Sequence, residues 1–522
     1  MKKIGYILTL GLGFLMMACT DKNPATDPTV DPTVDPTDTT EVGTDTTNYV
    51  YIVYDGSNAT VTVPQSLASY LTVTQSGAHV SIVQSDKVTQ EITYHLSGTS
   101  TDGGFYTEGS TKATLELNNL TLTNKSATYS GAAIHVQNGK RIKVKPLNGT
   151  TNTLVDAASG SQKGALYVKG HIEFAQSGTL NVTGNVKHAI KAGEYISVKN
   201  TTINVLAAVG DGINCEQYFL MKSGTITITG AKDDGIQCDI EDTTTGSTGE
   251  TTDHEGEDSG NMYFAGGTIR VNCEYKGIKC EGNMRIDDGD IQVVSNGTAS
   301  SNGNHGWGGS STTSSPEGIE AKGTITINGG IVSSQSADDA INAGSDFTIN
   351  GGLVFAYSTG NDGLDANGNC YIKGGIVYAI GARSPEVAID ANTEEQKKLY
   401  IQGGSVVAVG NLESGASITG GTCKQASSFT ANSWYALYNG SELVFAFKTP
   451  TTSSSSGGGG RPGGGGSSQK LVVYTSSTPA LQSGVTASGT AIFNSYAYYP
   501  ATVSGGSNVT LSNYSSGEGM GW

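Results

Sequence analysis

The sequence predicts an all-β protein whose middle is a right-handed parallel β-helix, and three observations predict it. One strand–turn signature recurs through the central chain at steps of 22–25 residues. Inside each repeat, apolar and polar residues alternate with period two, the mark of strands with one face buried. Glycines, 73 in 522 residues, punctuate the strands where turns need positive φ. Few charges (15 %) and many Val, Ile and Thr fit the same class.

The repeat reads Asp-Gly-Ile-polar-small. Its copies are Asp211 to Cys215, Asp234 to Cys238, Glu317 to Ala321, Asp339 to Ala343 and Asp362 to Ala366. Looser copies centre on Ile134, Leu166, Ile190, Ile278 and Ile389. The steps from Ile190 to Ile213 and on to Ile236 are 23 residues each, and those from Ile319 through Ile341 and Leu364 to Ile389 are 22, 23 and 25. Two steps, from Ile236 to Ile278 and on to Ile319, are 42 and 41 residues, one coil plus an insertion each. A second strand follows, with Ile196, Phe219, Met262, Met284, Ile325, Phe347, Cys370 and Leu399 in one column and Val198, Met221, Phe264, Ile286, Ile327, Ile349, Ile372 and Ile401 in another. Three strands per coil at this length match the right-handed helix, because the left-handed hexapeptide type repeats at roughly 18 residues.

The chain divides in order. Residues 1–18 resemble a bacterial lipoprotein signal: Lys2 and Lys3, an apolar run to Met17 too short for a bilayer span, then Ala18-Cys19. On that resemblance Cys19 is lipidated and anchors the protein to the outer membrane or cell surface, although Met16 stands where Leu is usual. Residues 19–48, with Asp-Pro-Thr repeated, are expected to be an extended tether. Residues 49–116 are rich in β-formers but off the register, and are expected to form a cap and the first coils. The coils run over 117–410. Residues 411–522 read as further strands, either a cap or a small β-domain, with a Gly-rich excursion at 453–468.

The formal charge of −17 excludes nucleic acid as a partner, since phosphates would be repelled. Binding an acidic polymer would need a cation between the two. Cysteines 215, 238 and 280 share one column of the repeat. Neighbouring coils lie about 4.8 Å apart there, within disulfide reach. The same column elsewhere holds Ala192, Ala321, Ala343, Ala366 and Ala391, so cysteine replacing interior alanine is the favoured reading. No CxxC pair occurs, which argues against zinc.

The segment from Leu117 to Asp239 is similar to a bacterial family of carbohydrate-binding β-helix proteins related in shape to pectate lyases. The resemblance rests on Leu117-Asn118-Asn119-Leu120-Thr121-Leu122, Gly131-Ala132-Ala133-Ile134-His135-Val136, Gly149 to Asp156, Gly178-Thr179-Leu180-Asn181-Val182, and the Asp-Gly-Ile runs at Asp211 and Asp234. It implies binding of acidic plant polysaccharide such as polygalacturonate, with calcium held on the helix. His188, Lys276 and Val387 replace the acid of the motif, so those coils are expected to lack cation ligands.

The candidate cation ligands are the acids around the turn: Asp211, Asp233, Asp234, Glu317, Glu320, Asp338, Asp339, Asp362, Asp365 and Asp390. Calcium holds oxygens at about 2.4 Å, so two ligands of one ion can lie nearly one coil spacing apart. The competing reading is that Asp precedes Gly only because that pair favours turns. Candidate sugar contacts are His305 and Trp307 in the second insertion, with Arg383 and Lys276 as cations beside the acids. Catalysis finds little support: Arg383 and Lys276 are the only base candidates for a lyase, and both have carboxylates to pair with.

Overall fold

The structure is a computed structural model and describes residues 47–240, 259–299, 315–383, 386–451 and 469–515. The chain divides into two compact units, and all described residues belong to the second, Thr44–Trp522. Cys19, the insertion residues 241–258, His305, Trp307 and the glycine-rich 453–468 lie outside the described residues.

Parallel ladders confirm the solenoid column by column. In the first ladder Phe105, Ile134, Leu166, Ile190, Ile213 and Ile236 partner one another in turn. Ile278, Ile319, Ile341 and Leu364 continue it, and bridges extend it to Ile389 and Leu412. The second ladder pairs Ile196, Phe219, Met262, Met284, Ile325, Phe347, Cys370 and Leu399 in the expected order. The third pairs Leu180, Ile203, Ile226, Ile269, Ile291, Val332, Val354, Val377 and Val406. A single coil therefore uses Ile319–Ala321, Ile325–Ile327 and Ile331–Ser336, one strand per ladder. Second and third ladders fuse in the long strand Ala113–Thr123, which pairs with Ile142–Pro146 near its start and Thr151–Val155 near its end.

The columns point into one continuous core that runs from Val50 to Tyr474. Each buried Ile or Val contributes roughly 1.5–3 kcal/mol, repeated at every coil. Pairing passes straight from Ile236 to Ile278 and from Ile278 to Ile319, so both long steps are insertions into an unbroken stack. Between second and third strands, Gly330, Gly352, Gly375 and Gly404 occupy one turn column at φ +75° to +83°. A Cβ at Gly352 would lie 2.8 Å from the Gly329 carbonyl oxygen, so the column is closed to other residues on two grounds.

Cys215, Cys238 and Cys280 partner one another and then Ala321, as the alanine-column reading expects. All three thiols are free and buried.

Both ends of the stack are covered. Tyr49–Asp55 pairs in parallel with Ile92–Ser100 and folds back antiparallel on Asn58–Thr62. Leu71–Ser76 does the same for the first ladder, lying antiparallel on Ala78–Gln84. At the far end Leu471–Thr475 lies antiparallel between Ser405–Val409 and Thr422–Ala426. Such turns from parallel to antiparallel block edge-on growth of the stack. The sequence left a cap and a small β-domain open for the C-terminal region, and the structure contains both. Trp434–Asn439, Glu442–Lys448, Pro479–Ile492 and Ala497–Asn508 close into a four-stranded barrel. It packs on the outer face of the third ladder, where Phe355, Tyr378 and Val407 meet Phe445, Phe447 and Phe493. That ladder is apolar on both faces in its last coils, as in Ile376–Ile380, and so demands a cover.

Candidate functional site

Two polar columns flank the inward Ile of the first ladder. The residue two before it is, coil by coil, His188, Asp211, Asp234, Lys276, Glu317, Asp339, Asp362 and Val387. The residue after it points outward and is Lys191, Asn214, Gln237, Lys279, Glu320, Asn342, Asp365, Asp390 and finally Glu413.

The first column has a structural duty. One carboxylate oxygen of Asp211 accepts the backbone N–H of Asp234 at 3.2 Å, and Asp234 accepts that of Lys276 at 3.0 Å. Asp339 accepts the N–H of Asp362 at 2.9 Å, and Asp362 that of Val387 at 2.5 Å. His188 does the same with a ring nitrogen, taking the Asp211 N–H at 3.1 Å. Each such side chain staples its coil to the next where strand pairing is interrupted by the turn. The turn reading of these acids is therefore half of their role.

The acids of this column have further oxygens to satisfy, and the coils differ in how they do so. In two coils an asparagine donates to one: Asn214 to Asp211 at 2.7 Å and Asn342 to Asp339 at 3.2 Å. In a third arrangement, an internal cation takes over. The Lys276 ammonium is buried and contacts both Glu317 and Glu320, the latter at 2.6 Å. Burial would lower the Lys276 pKa, but the two carboxylates outweigh it and raise it. Lys276, Glu317 and Glu320 thus form a closed ion cluster, and Lys276 is not placed to meet a sugar. Lys322 adds a second contact to Glu320.

The last arrangement has neither amide nor lysine. After Leu364 the outward position is Asp365, where the two equivalent coils have Asn. Asp362, Asp365 and Asp390 bring carboxylate oxygens within 4.8 Å of one another. Among the described residues no amide or cationic side chain hydrogen-bonds these three carboxylates; the Val387 N–H is the donor Asp362 has. Burial comes first among the causes that raise their pKa values, and like charge follows. Asp362 is pushed up to about 7, with Glu386, Asp365 and Glu413 adding to burial against the Val387 N–H. Asp390 is pushed up to about 10 by burial, a hydrogen bond to Glu413, and the charges of Asp362, Glu413 and Asp365. Asp339 is pushed up to about 9 by burial and by Asp365, Asp338 and Asp362. Asp365 is also raised, by burial first, with Asp338 adding to it. Such a group needs either protons or an added cation. Its donors are all carboxylate oxygens, the set that hard divalent cations take.

A weaker gathering involves Asp211, Asp233 and Asp234, again within 4.8 Å. Burial and the Asp211 charge push Asp234 up to about 8. Asp211, however, already has Asn214 and, at 3.3 Å, His188 beside it. Asp338 stands apart from the ladder, accepting from Ser315 at 2.7 Å and Asn361 at 2.9 Å. Arg383 is exposed in the loop that leads to Val387. Sequence reasoning missed Glu386 and Glu413. Glu413 follows Leu412, one coil beyond the expected end at 410, and only the bridge from Ile389 to Leu412 reveals it.

Comparison with known proteins adds a family. A solved structure described as a polysaccharide lyase-like protein from C. thermocellum, gadolinium derivative, is similar at 22 % identity over 48 % of this chain and 92 % of that chain, with a TM-score of 0.38. No curated protein matches. The family described as carbohydrate-binding domain-containing protein matches residues 76–363, more than half of the chain, ending just before Leu364 of the first ladder. The chain belongs to that carbohydrate-binding family.

Proposed function

We propose that this protein binds acidic polysaccharide of the polygalacturonate kind on the outside of the cell, with calcium as the bridge and without cleaving it. The single observation that carries this reading is the acid group Asp362, Asp365 and Asp390, which has carboxylates where sister coils have an amide or a lysine. A calcium ion there would relieve the mutual repulsion that raises these pKa values. Its remaining coordination positions suit uronate carboxylates, which an acidic protein alone would repel. The carbohydrate-binding family supports the polymer class, and the lipoprotein-like start with Cys19 supports an anchored, extracytoplasmic position.

The rival reading is a calcium-dependent lyase with Arg383 as base, since Arg383 comes four residues before Val387, whose N–H bonds Asp362. One incubation separates the two. Purified protein is mixed with polygalacturonate, with calcium or with a chelator, and both retention and unsaturated uronate are followed. Calcium-dependent retention without unsaturated product is expected. Unsaturated product would establish the lyase, and absence of retention with calcium would overturn the binding reading.

A further inference from the structure

The outward column that ends in acids begins in aromatics. Going back from Lys191, its members are Tyr167, His135 and Tyr106, stacked coil on coil. Ring centroids are 5.0 Å apart from Tyr106 to His135 and 4.9 Å from His135 to Tyr167, both edge-on. Tyr129 joins from the turn Thr128–Gly131 and stacks on Tyr106 at 5.4 Å. Tyr129 and Ser130 hold φ of +49° and +70° to bring it there. Left-handed backbone at two consecutive non-glycine residues costs on the order of 1–3 kcal/mol each, and such strain gathers at binding sites. Tyr106, Tyr129 and His135 are each half-buried, whereas Tyr167 is buried beneath them.

Polar groups rim the rings. Tyr106 donates its hydroxyl to Glu108 at 2.9 Å. The two His135 ring nitrogens lie 3.0 Å from the Ser130 hydroxyl and 3.1 Å from the Gln137 amide oxygen. The Lys163 ammonium sits 5.8 Å from the centre of the Tyr167 ring. Burial lowers the His135 pKa, so the imidazole stays neutral at pH 7. Ring faces with hydrogen-bonding groups at their edges are what a pyranose meets in a protein, its C–H face on the rings and its hydroxyls at the rim.

We propose that Tyr106, Tyr129 and His135, backed by the buried Tyr167, form a second carbohydrate subsite, a stacking platform for a pyranose ring of the same polysaccharide. The occupant is argued from the family match: residues 76–363 contain the whole platform. The half-buried stacked pairs Tyr49 with Tyr51, Tyr371 with Tyr400 and Trp434 with Tyr498 fall outside that span. Platform and acid group lie on one ladder, on the order of 40 Å apart at the coil spacing, a length that one extended polysaccharide chain can span. The platform rests on the polysaccharide reading but uses no calcium, which separates the two in a test.

Affinities of the full chain for polygalacturonate with calcium, and for a neutral β-glucan, are measured by titration for wild type and for Tyr106→Ala with Tyr129→Ala. The double variant is expected to bind at least about tenfold more weakly, the effect of losing two central aromatic contacts. Calcium titration without glycan should be unchanged, and Tyr106→Phe with its ring intact should keep most of the affinity. An equal thermal midpoint for wild type and variants shows that the coils stay folded. If wild type and double variant bind polygalacturonate equally, the platform is overturned and the calcium reading stands. If only the β-glucan is bound, and the double variant loses it, the platform stands and the acidic-polymer reading falls. Binding of neither glycan by wild type overturns both.

Discussion

Residue 365 carries a carboxylate where Asn214 and Asn342 carry an amide, and that one exchange removes the donor that satisfies the sister coils. Asp365→Asn should restore the pattern, its amide donating to Asp362 as Asn342 donates to Asp339. Without calcium the variant is expected to be about 1 kcal/mol more stable at pH 8, read from denaturant unfolding. Its calcium affinity by calorimetry should fall at least about tenfold, and an unchanged titration would remove Asp365 from the site. The sign of the pH effect follows from the raised pKa values. Asp362 and Asp390, at about 7 and about 10, hold protons in the folded state that the unfolded chain releases near pH 4. The stability they contribute is complete below that ordinary value and is lost as pH rises through 7 towards 10. Calcium replaces the lost protons, so it should raise the melting temperature more at pH 9 than at pH 5. Equal increments at the two values would contradict a calcium site made of these acids.

At the scale of the coil, the first ladder shows how one solenoid position can serve different ends without changing the backbone. His188 and four aspartates all staple the next coil, while Lys276 places its own ammonium between two carboxylates. Lys276→Met should leave Glu317 buried without its cation and Glu320 with Lys322 alone, a loss of roughly 3–5 kcal/mol. Millimolar calcium should return part of that stability, because the pair then resembles the group at Asp362. A variant as stable as wild type would show that Lys276 neutralises nothing. This level was the most legible in the sequence. The apolar columns were readable because a buried strand tolerates few residue types, and every column read from Ile196 and Val198 onward is paired as expected. The polar columns were half legible: the acids could be placed, but whether a neighbour donates to them depends on side chains one coil away. Lys276 was read as a candidate sugar contact for that reason, and the structure buries it between two glutamates. His135 and Tyr167 follow Ile134 and Leu166, both recognised as repeat centres, yet no Asp-Gly precedes them and the outward aromatics drew no notice. Glu413 was lost because Leu412 follows Asn411, without the Asp-Gly that marks a coil.

Across the whole described unit, one outward column of the first ladder starts in aromatics, passes through mixed amides and charges, and ends in acids. Tyr106, His135 and Tyr167 open it, Lys191, Asn214, Gln237, Lys279, Glu320 and Asn342 continue it, and Asp365, Asp390 and Glu413 close it. A solenoid offers this layout naturally, since each coil adds one side chain to a straight line at a fixed rise. Both ends are capped, and the barrel lies on the third ladder. The C-terminal barrel was the least legible part, because its strands pair across long separations and carry no repeat. The central claim is that calcium at Asp362, Asp365 and Asp390 joins this face to an acidic polymer. Retention on immobilised polygalacturonate across a calcium series, for wild type and for Asp365→Asn with Asp390→Asn, tests it most directly. Wild-type retention should rise with calcium and fall to background with a chelator, while the double variant stays at background throughout. Retention of the variant equal to wild type at every calcium concentration would contradict the claim.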